Sequence, residues 1–330
     1  AYTIPSLGIT ATDFRSHRWI DFMTPGNNSS RSLVIAVTGA SGLVGSHLVP
    51  LLEQQGHLVR RLVRRPVQDS DHEIRWNPAE GTIDAEELNG VDAVVHLAGE
   101  NIASGRWNEK LKRAIFDSRV DSTRLLCTTL AELDSKPNVL VSASAIGYYG
   151  PRGDETIDES SRPGEGFLAE VCQAWEYETR PASEAGIRVV NLRIGVVLSN
   201  EGGALKSILT PFKFGLGGVI GSGEQYISWI ELDDLVQIIN FAIENHSHSG
   251  PVNATAPHPA TNRELTKTLG KVLGRPTILP MPAFAARLAF GEMADEMLLT
   301  GAKILPKRLE SQNFRFSQPH LEGALRYILT

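Results

Sequence analysis

Gly39, Gly42 and Gly45 follow directly on the apolar run 33–37 and open an apolar-periodic segment at 46–55. Glycine permits a tight turn and lets backbone approach a pyrophosphate, whose charge then rests on the positive end of the following helix. A glycine triplet alone is a weak signal. A strand before it and a helix after it favour dinucleotide binding over an ordinary packed turn, although the Gly-x-x-Gly-x-x-Gly spacing departs from the Gly-x-Gly-x-x-Gly of most dehydrogenases. The second apolar run, 58–63, ends in Arg64, Arg65 and Pro66. An NAD site would place a carboxylate there for the ribose 2′-hydroxyl. Two guanidinium groups instead suit a 2′-phosphate, so NADP (NADPH) is the expected cofactor, with Arg60 and Arg61 completing a basic cluster. The bland alternative is a solvated strand end.

These residues need a scaffold, and the chain supplies one. Further strand-like runs lie at 91–98, 139–142 and 189–193, with helical segments around 111–133 and 167–185 between them. Strands alternating with helices predict an α/β fold, a Rossmann-type doubly wound parallel sheet. Beyond Leu198 the pattern changes to a glycine-rich stretch at 215–223, a strand-like 226–230, a helix over 235–243 that Asp233 and Asp234 can cap, and a mostly helical tail. This predicts a smaller C-terminal α+β substrate region. The expected division is a tail or linker over 1–32, a mainly NADP-binding domain over 33–200, and a mainly substrate-binding region over 201–330 with some segments returning to the first. The stretch 215–223 reads equally as a mobile cover or a plain connection.

Composition narrows the partners. The 330 residues are 42% hydrophobic and 21% charged, with 32 Lys+Arg against 38 Asp+Glu, a net charge of −6. That balance argues for a globular chain and against nucleic acid or an anionic membrane as partner. Cys127 and Cys172 form no disulfide framework or zinc motif, which fits a reducing, cytoplasmic setting. No apolar run reaches membrane-spanning length, and charges within the first 20 residues argue against a signal peptide. His246, His248 and His258 lack ligand spacing and read as solvated, so no metal is expected. Trp107, Trp175 and Trp229 read as core or cleft wall.

The motifs taken together resemble a known family. TGASGLVG at 38–45, DAVVHLAG at 92–99, Ser142 and Ser144 with Tyr149-Gly150, and Leu192-Arg193 look like the extended short-chain dehydrogenase/reductases. LAGENI at 97–102, Arg106-Trp107, Tyr148, FLAEVC at 167–172, Trp175-Glu176, residues 212–223, Trp229-Ile230 and LPKRL at 305–309 resemble the atypical epimerase family branch of NAD-dependent epimerase/dehydratases, sometimes labelled cell-division inhibitors. The resemblance spans about residues 33–327.

The resemblance implies that Gly39, Ser41, Gly42, Leu43, Val44 and Gly45 hold the pyrophosphate and that Arg64, with Arg65 beside it, holds the 2′-phosphate. It further implies that Leu97, Ala98 and Gly99 line the adenosine ribose and bridging phosphates. Arg119 falls near the nicotinamide side, Val197 beside the nicotinamide, and Ser144 matches a serine that hydrogen-bonds a substrate oxygen. The superfamily's Tyr-x-x-x-Lys pair is missing; the expected helix carries Phe167 and Val171 instead. Tyr148, Tyr149 and Glu100 remain as proton carriers, with Arg152 a substitute for the lysine. Glu170 and Cys172 lie near the lost pair, and Cys172 reads as a buried thiol. Glu231 stands where close relatives often have His. The expected function is an NADP-binding oxidoreductase or epimerase acting on a small carbonyl, hydroxyl or nucleotide-sugar substrate, possible as a homodimer. The alternative is an NADP(H)-binding sensor or interaction protein with little turnover.

Overall fold

The computed structural model describes residues 31–330, so all but the last two residues of the expected tail lie outside the described residues. The β-branched run Val34–Thr38 forms β1, and the glycine turn leads into α1 (Gly45–Gln54). There follow β2 (Leu58–Val63), β3 (Glu73–Asn77), β4 (Thr82–Ile83), the single turn α2 (Ala85–Leu88), β5 (Ala93–His96) and the long α3 (Glu109–Glu132). Then come β6 (Val139–Ala145), β7 (Thr156–Ile157), α4 (Phe167–Tyr177), α5 (Arg180–Glu184), β8 (Arg188–Ile194) and β9 (Val196–Leu198). The last part contains α6 (Gly203–Lys213), β10 (Tyr226–Ile227), β11 (Trp229–Glu231), α7 (Leu232–Glu244), β12 (Gly250–Ala254), β13 (Ala260–Thr261) and α8 (Asn262–Leu273). It ends with α9 (Ala283–Phe290), β14 (Lys303–Ile304), α10 (Lys307–Ser311) and α11 (Leu321–Leu329).

Eight strands form one sheet in the order β12-β8-β6-β5-β1-β2-β3-β4. Every pairing is parallel except β3 with β4 at the edge. The central strands β1 and β5 are nearly continuous apolar runs because both faces are covered. Ile35, Val37, Val95, Val141 and Leu192 pack with Leu48 and Leu52 of α1 and Leu235 and Ile239 of α7. On the other face Ala36, Val94, Leu140 and Val189 pack with Leu126 and Leu130 of α3 and Ala182 of α5. Each fully buried aliphatic side chain contributes about 1.5–3 kcal/mol relative to exposure. This is the doubly wound arrangement that the alternating pattern predicts.

Residues after Leu198 are interleaved with the sheet. Strand β12 adds to its edge and α7 covers one face, while α6, α8 and α11 close around Leu205, Phe212, Trp229, Leu269 and Leu325. Strands β9 and β11 pair in parallel, tying the two parts together. The glycine-rich stretch is a held connection. Met281 N–H donates to Val219 O (2.9 Å), Gly221 N–H to Met281 O (2.9 Å), and Ile220 N–H to the Asn262 side chain (2.8 Å). No helix among the described residues is long and apolar enough to cross a membrane.

The start of α7 corrects the capping expectation. The helix begins at Leu232, and Glu231, not Asp233 or Asp234, caps it by accepting from the Asp233 and Asp234 amides. Asp234 is fully buried and accepts instead from the amides of Ser317 (2.7 Å) and Gln318 (2.9 Å), fastening the C-terminal segment to α7.

Candidate functional site

The chain leaves β1 for β2 on one side and returns to its other side at β5. Loops diverging from the carboxyl ends of two such strands leave a crevice. Gly39 has φ +68°, a left-handed conformation that glycine adopts without strain, and a Cβ there would come within 2.8 Å of the Leu97 carbonyl carbon. A Cβ on Gly45 would lie 2.3 Å from the Gly39 oxygen, so the turn closes backbone against backbone. The Gly42 amide is spent on Gly39 O (2.9 Å), whereas the amides of Ser41, Leu43 and Val44 have no protein acceptor among the described residues. Free donors at a helix start are what an anionic ligand uses. This donor set fits a dinucleotide pyrophosphate.

The loop after β5 is held by a buried polar chain. Thr38 Oγ1 accepts from the amides of Leu97 (3.0 Å) and Ala98 (3.2 Å) and pairs with His96 Nδ1 (2.7 Å), while His96 Nε2 lies 3.0 Å from Thr123 Oγ1 on α3. Burial pushes the His96 pKa down to about 4, so a neutral imidazole spaces β1, β5 and α3. His96 had no role in the sequence reading; a lone His in an otherwise apolar strand was its signal. Val197, half-buried on β9, pairs with Ile230 of β11 and joins the sheet's core from the far side.

The expected cluster of four arginines is not formed. Alternation along β2 sends neighbours to opposite faces. Arg60 pairs with Glu87 and also bonds the carbonyls of Glu87 (2.6 Å) and Ser70 (2.9 Å); Arg61 pairs with Glu53 (2.6 Å). Arg65 is corrected as well: Glu73 of β3 takes both of its terminal nitrogens, one at 2.9 Å. That hydrogen bond, with the Gln68 amide, holds the Glu73 carboxyl down at about 2. Arg64 alone of the four is exposed with no ion pair or hydrogen bond from its guanidinium among the described residues.

At the carboxyl end of β6 the structure corrects three further expectations. Ser144 is 2% exposed and donates its hydroxyl to Glu176 Oε1 (2.7 Å), so it braces α4 against β6 instead of meeting a substrate oxygen directly. Tyr149 is fully buried, donates to Asn253 Oδ1 (2.7 Å) and accepts from Arg193 Nη1 (2.9 Å). Burial, opposed by Arg193, pushes its phenol up to about 12, which removes it as a proton carrier near neutrality. Arg152 cannot substitute for a catalytic lysine, because it is spent on the carbonyls of Tyr149 (3.1 Å) and Arg162 (2.8 Å) and on Glu155.

Arg193 organises what remains. It donates from Nε (2.8 Å) and Nη2 (2.8 Å) to the two oxygens of Glu176, and its Cζ lies 3.4 Å from the centroid of the half-buried Tyr148 ring. Tyr148, Glu176 and Asn191 border a cavity of about 640 Å³ that runs to Ser249 at the β8–β12 edge. Cys172 is buried, as expected, and desolvation with nearby Glu176 raises its thiol to about 12. Glu100 and Glu170 are exposed; the Glu100 amide is held by Ser118 (3.0 Å). Trp107, Trp175 and Trp229 are buried, as expected of core and cleft walls.

Glu231 sits 3% exposed at the end of β11, and burial together with Asp233 raises its carboxyl to about 8 from 4.5. An acid whose folded pKa exceeds its unfolded value contributes stability that is whole below pH 4.5. That contribution is lost as pH rises toward 8, because only the unfolded chain ionises freely in between. Unfolding free energy measured by urea between pH 5 and 8 is therefore expected to fall by up to about 1.4 kcal/mol per pH unit from this group. Glu231→Gln should flatten that slope; an unchanged slope would remove the assignment.

His248 is buried against Phe241, correcting its solvated reading, and burial lowers its pKa. His258 and His320 stack face to face with centroids 4.5 Å apart. Among the described residues no group of three potential ligands gathers for a metal.

The family described as NAD dependent epimerase/dehydratase matches residues 35–254, and a domain of unknown function matches residues 281–328. An epimerase family protein of Mycobacterium leprae is 44% identical over 92% of this chain and 97% of its own length, and one of Bacillus subtilis is 39% identical over 89% and 97%. The crystal structure of human epimerase family protein SDR39U1 with NADPH superposes with a TM-score of 0.82 at 35% identity, covering 90% of this chain and 99% of that one. The glycine turn at the switch point, the held loop after β5 and these near full-length matches together place the chain in the NAD dependent epimerase/dehydratase family, among the extended short-chain dehydrogenase/reductases.

Proposed function

We propose that the crevice binds NADP(H) and that the chain acts as an oxidoreductase or epimerase on a small carbonyl- or hydroxyl-bearing substrate. The observation that carries this reading is Arg64, unpaired among the described residues at the end of a strand that ends in no carboxylate. Gly39 through Gly45 would cradle the pyrophosphate on the amides of Ser41, Leu43 and Val44. Leu97, Ala98 and Gly99 would line the adenosine side, with Val197 and Arg119 near the nicotinamide. The NADPH in the human relative's crystal structure supports the same choice. When bound, the nicotinamide supplies or accepts hydride at its C4.

The protein's own contribution is to hold the substrate between the carboxyl edge of the sheet and the elements after Leu198, and to move one proton. Tyr148 is our candidate for that proton, because it borders the cavity beside the Arg193 guanidinium and its hydroxyl, unlike that of Tyr149, is spent on no protein partner among the described residues. Glu176 and Ser144 then act as the support that keeps Arg193 in place. Residues 33–200 would be mainly cofactor-binding and 201–330 mainly substrate-facing, with α7 and β12 belonging to the first.

Two assays test the reading: loss of NADPH absorbance with a panel of carbonyl compounds, and epimer formation from nucleotide sugars with NADP⁺ bound, since an epimerase returns the hydride and leaves the absorbance unchanged. Tyr148→Phe is expected to lower turnover about 10²–10⁴-fold while leaving NADPH affinity unchanged. A second reading, an NADP(H)-binding sensor, is favoured by the absence of a Tyr–Lys pair at 167 and 171. Tight NADPH binding with no turnover across the panel would select it.

A further inference from the structure

The net charge of −6 is unevenly spread along the chain. Residues 202–223 and 265–291 contain no Asp or Glu, yet they carry Lys206, Lys213, Lys267, Lys271, Arg275 and Arg287. The fold sets the two stretches side by side. The amides of Leu279 and Met281 donate to the carbonyls of Gly217 (3.4 Å) and Val219 (2.9 Å), and a Cβ on Gly215 would meet Pro276 Cγ at 3.4 Å. Lys271 pairs with Glu322 and Arg287 with Asp295. The other four cations have no acidic partner: Lys206 and Lys267 bond only uncharged oxygens, and Lys213 and Arg275 have no side-chain hydrogen bond or ion pair among the described residues.

The same stretches hold six of the eleven large apolar side chains that stand exposed among the described residues. Phe214 (78% exposed) and Leu216 follow the end of α6, and Ile278 (73%) and Leu279 lie on the segment paired beside them. Phe284 (72%) and Leu288 (75%) are one turn apart on α9, which begins two residues after Met281. Scattered apolar residues are ordinary on a surface, whereas a concentration of them marks a place that meets something apolar.

The chemistry chooses the occupant. A second copy in two-fold contact would bring one acid-free surface against another, cation facing cation. Protein interfaces are depleted in Lys and seat their anchors in packed pockets, but here four of the six cations are Lys and the apolar side chains project into solvent. Projecting Phe, Leu and Ile flanked by Lys and Arg match the boundary of an anionic bilayer, where the apolar groups enter the acyl region and the cations stay at the phosphates. Such contact needs no spanning helix. We infer that residues 214–216, 278–279 and α9 form a peripheral docking surface for an anionic phospholipid bilayer. Neither the glycine turn nor Arg64 belongs to this surface, so it goes beyond the nucleotide reading and does not depend on it.

Co-sedimentation of the full chain with vesicles is the test, using phosphatidylcholine alone and phosphatidylcholine with about 30% phosphatidylserine. The mixed vesicles are expected to bind the protein at least about tenfold more tightly, and raising NaCl from about 0.1 M to about 0.5 M should remove most of that difference. Lys213→Glu with Arg275→Glu should weaken binding to the mixed vesicles at least about tenfold, since each cation near such a surface is worth about fivefold. Phe214→Ser with Phe284→Ser should weaken it comparably with an unchanged circular dichroism spectrum, because both side chains are already exposed. Lys110→Glu with Arg113→Glu, exposed on α3, controls for charge placed anywhere and should change binding by less than about threefold. An equal loss in that control would reduce the binding to overall charge and overturn the inference, as would equal binding to both vesicles. Sedimentation equilibrium without lipid judges the rival occupant: a dimer that Phe214→Ser with Phe284→Ser dissociates would assign the surface to a second copy. A wild-type monomer that binds neither vesicle would also overturn the inference and leave an acidic protein as the occupant.

Discussion

Arg64→Ala is expected to weaken NADPH binding about 10- to 100-fold while leaving NADH affinity within threefold. A hydrogen bond to a charged group is worth about 1.5–3 kcal/mol, and about 1.4 kcal/mol is a factor of ten in affinity. The 2′-phosphate is the only group that distinguishes the two nucleotides, so the loss must fall on one of them. Arg65→Ala provides the contrast. Its guanidinium already answers the Glu73 carboxylate, so its removal should change NADPH affinity by less than threefold. Fluorescence titration of both nucleotides against both variants decides the matter. Equal losses of NADH and NADPH in Arg64→Ala would end the case for a phosphate contact, and a larger loss in Arg65→Ala would mean that the Glu73 pair opens on binding.

Glu176→Ala is expected to destabilise the protein by about 3–5 kcal/mol, the usual cost of leaving one charge of a buried pair alone. Arg193 is 3% exposed, and the substitution removes the acceptors of its Nε and Nη2 together with that of the Ser144 hydroxyl. Glu176→Gln keeps an acceptor for Ser144 and should cost less. Glu176→Ala combined with Arg193→Met removes both charges and should recover part of the loss, because the uncompensated cation is then gone. Urea unfolding of the four proteins measures this; a cost below about 1 kcal/mol for Glu176→Ala would show that solvent already screens the pair. The consequence for the site is direct, since Arg193 also lies under Tyr148 and bonds Tyr149.

Much of this architecture is written locally. Whether a segment is strand or helix follows from the spacing of its apolar residues, and that spacing is plain in 34–38, 58–63 and 109–132. The glycine turn is equally local, because Gly39 and Gly45 are required by a conformation and a contact within seven residues. From those features the doubly wound sheet and the crevice at its switch point were legible before any coordinates, as was the carboxylate-free end of β2 on which the proposed phosphate contact rests.

The proton-handling end was not, because its decisive contacts join residues far apart in the chain. Tyr149 looked available beside Ser144, yet Asn253, 104 residues later, and Arg193, 44 residues later, take its hydroxyl. Ser144 is claimed by Glu176, 32 residues on, and Asp234 by amides more than 80 residues away rather than by its own helix start. Arg65 looked as free as Arg64 until β3 brought Glu73 alongside β2. The sequence by itself determined the element types, the glycine turn between β1 and α1 and the family. Only the tertiary structure decided which of its charges and hydroxyls are already spent, because a hydrogen bond or ion pair depends on a partner within about 3 Å that linear order does not supply.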